Sequence, residues 1–161
     1  MKLDSTDIEI LQALQTDATS QSADIGSRVG LSQSPTWRRI SNLETSGAIR
    51  ARVAIVDRQV IGLDFMAFVF VRLTDQTQAT VERFRDDVQA IPEIVQCHVL
   101  MGDIDYILVV ITRDIEHFRR LLRGKLSGFA GVRGLDSRVV LEEVKNTTAL
   151  PLGCLSDAAN D

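Results

Sequence analysis

The chain has 161 residues, of which 45% are hydrophobic and 25% are charged, and its formal net charge at pH 7 is −4. This length suits one medium-sized domain or two small ones, and the hydrophobic content is sufficient for packed cores. No apolar run reaches the roughly 18 residues of a membrane span, and no signal sequence is recognisable. We therefore expect a cytoplasmic protein without a membrane partner. The two cysteines, Cys97 and Cys154, are too few for a disulfide framework or a zinc site.

The first part of the chain predicts two short helices in succession. One covers residues 3–14, where Asp4 is a good N-cap and apolar residues recur on one face. A second covers residues 22–29 and ends at Gly30, a residue suited to a helix stop. A tight turn then leads into a third helix, and this spacing is typical of a helix-turn-helix motif.

The third helix is predicted to begin at the N-cap residue Ser32 and to stop at Gly47. Its apolar face is predicted to contain Trp37, Ile40 and Leu43, with Trp37 buried under the helix. The opposite face combines arginines with short polar residues, which can contact phosphates and base edges in a major groove. The residues expected to contact DNA are Ser32, Ser34, Pro35, Arg38, Arg39, Ser41, Asn42 and Arg50.

A short apolar segment after this helix, residues 48–56, favours a β-strand and is interpreted as a wing. Residues 28–58 contain six arginines and two acidic residues, a local charge of about +4 that suits a DNA-binding surface despite the net negative charge. The alternative for the third helix alone is an ordinary amphipathic surface helix. The two helices before it favour the winged helix-turn-helix and DNA binding.

The second part of the chain predicts strands and helices in the order β-α-β-β-α-β. Strands are predicted at residues 65–73, 94–100, 104–112 and 132–144, the last strongest over residues 138–144, and helices at residues 76–90 and after the N-cap residue Asp114. This order predicts a ferredoxin-like, four-stranded antiparallel sheet with both helices on one face. Because the first and third strands are apolar on both sides, we expect a second copy to cover the open face in a homodimer.

The predicted fold class is therefore α+β, with four consecutive parts. Residues 1–52 form the winged helix-turn-helix DNA-binding domain, and residues 53–64 form the β-wing and linker. Residues 65–147 form the ferredoxin-like domain, through which we expect two copies to pair, and residues 148–161 form a C-terminal tail that we expect to be flexible at its end.

Four segments, in this order and spacing, resemble the Lrp/AsnC (feast/famine) family of transcriptional regulators over about residues 3–150. They are LDSTDIEILQALQTDA, IGSRVGLSQSPTWRRISNLETSGAI, CHVLMGDIDYILVV and VVLEEVK. The resemblance implies a DNA-binding N-terminal domain and a C-terminal RAM-type domain that senses a small effector, usually an amino acid, with no cofactor. It also implies homodimers that bind double-stranded DNA and assemble into tetramers or octamers.

In this family the effector lies at a dimer–dimer interface around a Gly-Asp-x-Asp turn, which matches residues 102–105 here. The positions that the resemblance assigns to effector binding are Met101, Gly102, Asp103, Asp105, Tyr106, Ile115, Arg138, Val139 and Val140.

The chemistry of an amino-acid site agrees with this turn. Asp103 or Asp105 could accept from the ligand's ammonium group, and backbone N–H groups of the glycine turn could donate to its carboxylate. Arg138 departs from the family, which more often has an aromatic or apolar residue there. It could pair with a ligand carboxylate, favouring an acidic or polar effector, or with a neighbouring acid. A plain hairpin turn is the alternative for Gly102-Asp103.

Catalysis and metal binding find little support in the sequence. His98 and His117 are single histidines on a predicted strand and a predicted helix, and no triad or phosphate loop is recognisable. Adjacent strand residues such as Cys97 and His98 point to opposite faces, so they cannot act together. We predict a regulator and not an enzyme. The alternative function is a small-ligand-sensing assembly protein that does not bind DNA.

Overall fold

The computed structural model describes residues 3–157, with side chains as far as residue 155. The described residues divide into two compact units, residues 3–55 together with 145–157, and residues 56–144. The C-terminal segment thus belongs with the first unit, whereas the sequence had suggested a separate tail from residue 148. No helix within the described range is long and apolar enough to cross a membrane.

The first unit contains the three predicted helices, α1 (Ser5–Thr16), α2 (Ser22–Val29) and α3 (Gln33–Thr45). The helix α1 begins with a capping box, in which the Asp7 N–H donates to the Asp4 carboxylate at 2.8 Å and the Asp4 N–H donates to the Asp7 carboxylate at 3.3 Å. The helix α2 ends at Gly30, whose φ of +71° is the left-handed conformation expected of a glycine stop. The core between the three helices consists of Ile10, Leu14, Ile25, Ile40 and Leu43.

The turn between α2 and α3 is closely packed because Gly26 has no side chain. A Cβ atom at Gly26 would lie 2.7 Å from the carbonyl oxygen of Leu31 and 2.8 Å from Thr36 Oγ1. Thr36 is fully buried there, and its hydroxyl donates to the Ser32 carbonyl at 2.9 Å. The Ser32 hydroxyl makes no capping hydrogen bond, so the predicted side-chain cap is wrong although the helix starts where expected.

Trp37 is 63% exposed, so its predicted burial under α3 is wrong. The buried positions of α3 are Thr36, Ile40 and Leu43. Their spacing of four and three residues keeps them within a narrow arc of the helix, whereas Trp37 lies about 100° away from Thr36.

The predicted β-wing does not form within this chain. Residues 50–57 contain no strand, although their sequence favours one. A strand is stable only when a neighbouring strand satisfies its N–H and C=O groups, and this segment has no such partner among the described residues. Val53, Ile55 and Val56 are consequently between 60% and 77% exposed.

The C-terminal segment packs on the first helix. The Leu150 N–H donates to Gln15 Oε1 at 2.6 Å, and Gln15 Nε2 donates to the Leu150 carbonyl at 3.2 Å. A short helix, α6 (Gly153–Asp157), follows where the sequence had suggested only a flexible end. The part of that prediction that concerns residues 158–161 lies outside the described residues.

The second unit has the predicted ferredoxin-like order. It comprises β1 (Phe65–Leu73), α4 (Gln78–Gln89), β2 (Ile94–Val99), β3 (Tyr106–Thr112), α5 (Ile115–Gly124), a 3-10 turn at Leu126–Gly128 and β4 (Val132–Val139). The sheet order is β2-β3-β1-β4, with every pair antiparallel. The last strand ends at Val139, so the prediction that residues 138–144 form the strongest part of this strand is wrong.

The two faces of this sheet differ. Alternate residues of β1 pack against α4 and α5, which both lie on one face. Phe84 of α4 is at the centre of this core, with its ring centroid 4.5 Å from that of Tyr106. No helix of the unit covers the other face, where Val109 is 5% exposed and five further apolar residues are half-buried, namely Met66, Phe68, Phe70, Ile107 and Ile111. We name these six residues the open sheet face.

Candidate DNA-binding helix and effector cleft

The exposed side of α3 has the composition expected of a DNA-reading surface. Arg38 lies at its centre and makes no ion pair among the described residues, and Trp37 lies beside it. At about 100° per residue, the positions on this side fall within one arc opposite the buried residues. We name it the recognition face, and it comprises Ser34, Trp37, Arg38, Ser41, Asn42 and Thr45.

Arg39 has a different environment from its neighbour. Its Nη1 lies 2.8 Å from Asp4 Oδ2 and 2.7 Å from Asp7 Oδ1, so the guanidinium joins α3 to the capping box of α1. The hydrogen bond from the Asp7 N–H and the nearby Arg39 charge lower the pKa of Asp4, and the two carboxylates raise the pKa of Arg39. The predicted contact between Arg39 and DNA would require breaking these ion pairs.

The remaining predicted DNA-contact residues flank the recognition face. Ser32 and Pro35 lie at the start of α3, and Arg50 is exposed in the segment after it. Other arginines of the basic region are already engaged, since Arg52 pairs with Glu44 at 2.8 Å and Arg58 donates to the carbonyls of Leu63 and Asp64. The freely available positive charge is therefore smaller than the sequence count suggests.

The predicted effector turn joins β2 to β3. Its closing hydrogen bond runs from the Leu100 N–H to the Asp105 carbonyl at 2.8 Å, and Gly102 adopts φ +129°. The Asp105 carboxylate accepts from the Leu73 N–H at 2.7 Å and from Gln76 Nε2 at 2.8 Å. Asp105 therefore fastens the turn to the end of β1, whereas the exposed Asp103 carboxylate has no hydrogen-bond partner in the described chain.

An open cleft of about 550 Å³ lies beside this turn. Arg72 lines this cleft, and its Nε donates to the Asp103 carbonyl at 3.2 Å. Asp75 at its rim accepts from the hydroxyl and the N–H of Thr77, which lowers the pKa of Asp75 to about 2. The lining residues are Arg72, Leu73, Thr74, Asp75, Gln76, Gly102, Asp103, Asp105 and Arg133.

Tyr106 does not line this cleft with its side chain. The ring is 4% exposed and packs against Phe84 in the core, because residue 106 points to the helix side of the sheet. Met101, in contrast, is fully exposed at the turn. An effector contact of Tyr106 therefore stays a prediction, and its side chain is not available to the cleft of this chain.

Four other predicted effector positions lie at the opposite end of the sheet. Arg138 pairs with Phe68, Val139 pairs with Ala67, and the Val140 N–H donates to the Met66 carbonyl. Ile115 follows β3, whose last residue pairs with Phe65. At about 3.3 Å per residue, the β1 residues level with these positions are about 13–23 Å from Arg72. One chain cannot bring them into the cleft.

Arg138 interacts with its own chain. Its guanidinium lies 3.4 Å from Asp136 and 5.2 Å from the centre of the Phe70 ring. Of the two roles open from the sequence, the structure shows the pairing with a neighbouring acid.

Sequence reasoning missed Arg72 and Arg133. The signal for Arg72 was the single charge inside the apolar strand FMAFVFVRL. Arg133 follows Gly131 at the start of β4, and no hydrophobic periodicity in the sequence marks it as a cleft residue.

The titratable groups outside the cleft form no metal site. Among residues 3–157 no three His, Cys, Asp or Glu side chains are grouped to hold an ion, and both cysteines are free. His117 lies 3.4 Å from Glu93, and His98 lies 3.3 Å from Gln96.

Comparisons with known proteins agree with both halves of the structure. Residues 3–44 match the model of the AsnC-type helix-turn-helix domain, and residues 66–150 match that of the Lrp/AsnC ligand binding domain. The glutamate uptake regulatory protein of Zymomonas mobilis is 39% identical over 158 residues, which cover 98% of this chain and 96% of that protein.

Solved structures extend the similarity to the whole fold. A transcriptional regulator of Neisseria meningitidis in complex with L-Met is 35% identical, with a TM-score of 0.91 over 96% of this chain and 99% of that one. An AsnC family transcriptional regulator of Agrobacterium tumefaciens is also 35% identical, with a TM-score of 0.90 over 95% and 99%. The predicted α+β fold is thereby confirmed, apart from the wing.

Proposed function

Because this chain belongs to the Lrp/AsnC family of transcriptional regulators, we propose that α3 reads its DNA site and that the cleft beside Gly102 binds an amino-acid effector. The family assignment makes the protein a DNA-binding regulator and not an enzyme. We place its work in the cytoplasm, where a bacterial-type regulator meets its DNA.

The observation that supports DNA reading best is Arg38 at the centre of the recognition face, which makes no ion pair with the described residues. A guanidinium free of ion pairs can bridge a guanine edge or a phosphate at no cost in broken internal contacts. Ser34, Ser41 and Asn42 are short enough to reach base edges beside it. Ser32, Pro35 and Arg50 flank this face, and we propose that they contact the DNA backbone. Exposed Trp37 adds an apolar contact that the sequence had assigned to the core.

Because each copy of α3 has few arginines free of ion pairs, we expect two copies to bind DNA together. One helix with few phosphate contacts has modest affinity, and dimers gain by binding two half-sites at once. The open sheet face supplies an apolar surface for the pairing, and we propose a homodimer through it. Dimers would then assemble into tetramers or octamers.

The effector site is proposed to be completed by a second copy. The cleft provides the turn residues, while Ile115, Arg138, Val139 and Val140 lie at the far end of the same sheet. A neighbouring chain can bring its own far end to the cleft. The relative from Neisseria meningitidis was solved with L-Met, which supports an amino acid as the ligand class. Binding of the amino-acid effector would change how the dimers assemble on DNA.

Gel shifts on the DNA that flanks the gene of this protein test the DNA-binding half of the proposal. The wild-type chain is expected to retard this fragment at low salt and to do so less as salt rises, because phosphate contacts release counterions. Absence of binding at low salt by the folded protein would favour the alternative, a ligand-sensing assembly protein without DNA binding.

Thermal-shift measurements with the common L-amino acids test the effector half. A ligand that binds only the folded state raises the melting temperature. At least one amino acid is expected to do so at millimolar concentration. A flat response to all of them would argue against an amino-acid effector.

A further inference from the structure

The acidic groups of the cleft are not equivalent. Both oxygens of Asp105 accept hydrogen bonds, from the Leu73 N–H and from Gln76. Asp75 accepts from Thr77 and, at 3.2 Å, from the Thr74 hydroxyl. These two carboxylates hold the turn and the start of α4 in place. Asp103 is the remaining acid of the lining, and its exposed carboxylate accepts no hydrogen bond within the described chain.

The cleft has two cationic side chains. Arg72 uses Nε to donate to the Asp103 carbonyl, and neither terminal nitrogen makes a hydrogen bond or an ion pair within the described residues. Arg133 lines the same cleft, and neither an ion pair nor a hydrogen bond engages its guanidinium within residues 3–157. The available groups are therefore one anion and two cations.

The backbone places Arg133 at the cleft through an irregularity of β4. Arg72 pairs with Gly134 and Leu73 with Val132, so Arg133 is the extra residue of a bulge. A bulge redirects the side chain that it contains. The segment before it is fixed because the Thr74 N–H donates to the Gly131 carbonyl at 2.7 Å, and a Cβ atom at Gly131, where φ is +83°, would lie 2.5 Å from Thr80 Cγ2.

A neutral amino acid does not use all of these groups. Its ammonium group can donate to Asp103 and its carboxylate can accept from one arginine, which leaves the second guanidinium without a contact to the ligand. An amino acid with a carboxylate in its side chain satisfies all three. The cleft volume of about 550 Å³ is ample for such a ligand.

We propose that the effector of this regulator is an α-amino dicarboxylic acid, of the size of aspartate or glutamate. The ammonium group binds Asp103, the α-carboxylate binds Arg72, and the side-chain carboxylate binds Arg133. This inference rests on the proposed effector function of the cleft and specifies its ligand class.

Isothermal titration of the full chain with matched acid and amide pairs tests the ligand class. L-glutamate is compared with L-glutamine, L-aspartate with L-asparagine, and L-methionine serves as the apolar reference. An acid and its amide have nearly the same shape and differ in one charge. A preference for the acid therefore reports the contact between the side-chain carboxylate and Arg133. A hydrogen bond to a charged group is sufficient for one acid to bind about tenfold tighter than its amide.

Three variants separate the assigned contacts. Arg133→Gln is expected to abolish the acid-over-amide preference and to leave amide binding unchanged. Asp103→Asn is expected to weaken acids and amides alike, because both present the ammonium group. The matched control is Arg123→Gln, at an exposed arginine of α5 outside the cleft, and it should leave all affinities unchanged.

The outcomes distinguish this inference from the function on which it rests. Binding of L-methionine or of an amide at least as tight as binding of either acid would overturn the ligand class while leaving an amino-acid effector in place. An acid preference that survives Arg133→Gln would overturn the assigned contact. Failure of every amino acid to bind would overturn the effector function together with the inference.

Discussion

Arg38 and Arg39 are neighbours in the chain and lie in different surroundings. Arg38 is exposed on the recognition face, whereas Arg39 is held between Asp4 and Asp7 at 2.8 Å and 2.7 Å. One residue along a helix is a rotation of about 100°, which suffices to move a side chain from solvent to a neighbouring helix. The two arginines should therefore respond differently to substitution.

Replacing Arg38 by alanine should weaken DNA binding and make it less sensitive to salt. Loss of one phosphate contact lowers the slope of log affinity against log salt by about 1. Fluorescence anisotropy with a labelled fragment at several salt concentrations measures both quantities. Arg123→Ala, on α5, is the control and should match the wild type. An unchanged slope and affinity for Arg38→Ala would remove this residue from the interface.

Replacing Arg39 by alanine should instead destabilise the first unit. Because the ion pairs are partly exposed, we expect a loss of about 1 kcal/mol in the free energy of unfolding, measured by urea denaturation at pH 7. Asp7→Asn should have a similar effect, and combining the two should cost less than the sum of the single changes. Glu9→Gln, on the exposed side of α1, is the control.

The salt dependence of DNA binding distinguishes this role from a phosphate contact. For Arg39→Ala the slope should remain that of the wild type, even if the affinity falls. A slope reduced as much as for Arg38→Ala would show that Arg39 leaves its ion pairs and contacts DNA.

At the scale of the element, local sequence predicted helices better than strands. Caps such as Asp4 and Asp114 and stops such as Gly30 are local, and the helices end near them. A strand depends on its partner, so the β-leaning residues 50–57 remain irregular. The last strand, β4, ends where its pairing with β1 ends, at Val139 opposite Ala67, although the following residues are more apolar.

The hydrogen bonds at the start of α4 predict that the stability of the fold depends on pH. Hydrogen bonds from Thr77 lower the pKa of Asp75 to about 2 from an ordinary value of 3.8. A carboxyl whose pKa is lower in the folded state stabilises the fold above its ordinary value and loses that contribution as the pH falls towards 2. Asp75→Asn should therefore lower the melting temperature at pH 6, and the difference from the wild type should shrink below pH 4.

The control for this measurement is Asp86→Asn, at an exposed residue further along α4 whose side chain makes no hydrogen bond in the described structure. Its difference from the wild type should be small at every pH. A difference for Asp75→Asn that stays constant from pH 6 down to pH 3 would contradict the assigned hydrogen bonds.

At the largest scale, the sequence indicated two domains and a helix-turn-helix. It could not show which of the predicted effector residues lie together within one chain. The Gly102 turn was predictable because Gly and Asp mark it. Arg138 and Val139 belong to the same family pattern, yet the register of β4 on β1 puts them at the other end of the sheet. Only pairing across the sheet, which no local pattern encodes, reveals that separation.

The open sheet face predicts a dimer that a single charge should disrupt. Phe68 lies near its centre, paired with Val109 on one side and Arg138 on the other. Phe68→Lys should shift the chain from dimer or larger assembly to monomer in sedimentation equilibrium, because a second cation opposite Arg138 in an apolar interface is costly. Arg123→Glu, on α5 on the covered side, should leave the assembly intact. A wild-type monomer at micromolar concentration would contradict the dimer.

The proposed function requires that this chain recognises a DNA sequence through α3. Its most direct test is the ratio of affinities for a fragment selected from random DNA by the full chain and for a scrambled fragment, both measured by anisotropy at the same salt. We expect a ratio of about 10³ or more, and Arg38→Ala should reduce it. Equal affinities for the two fragments, or a ratio that the Arg38 substitution leaves unchanged, would contradict it.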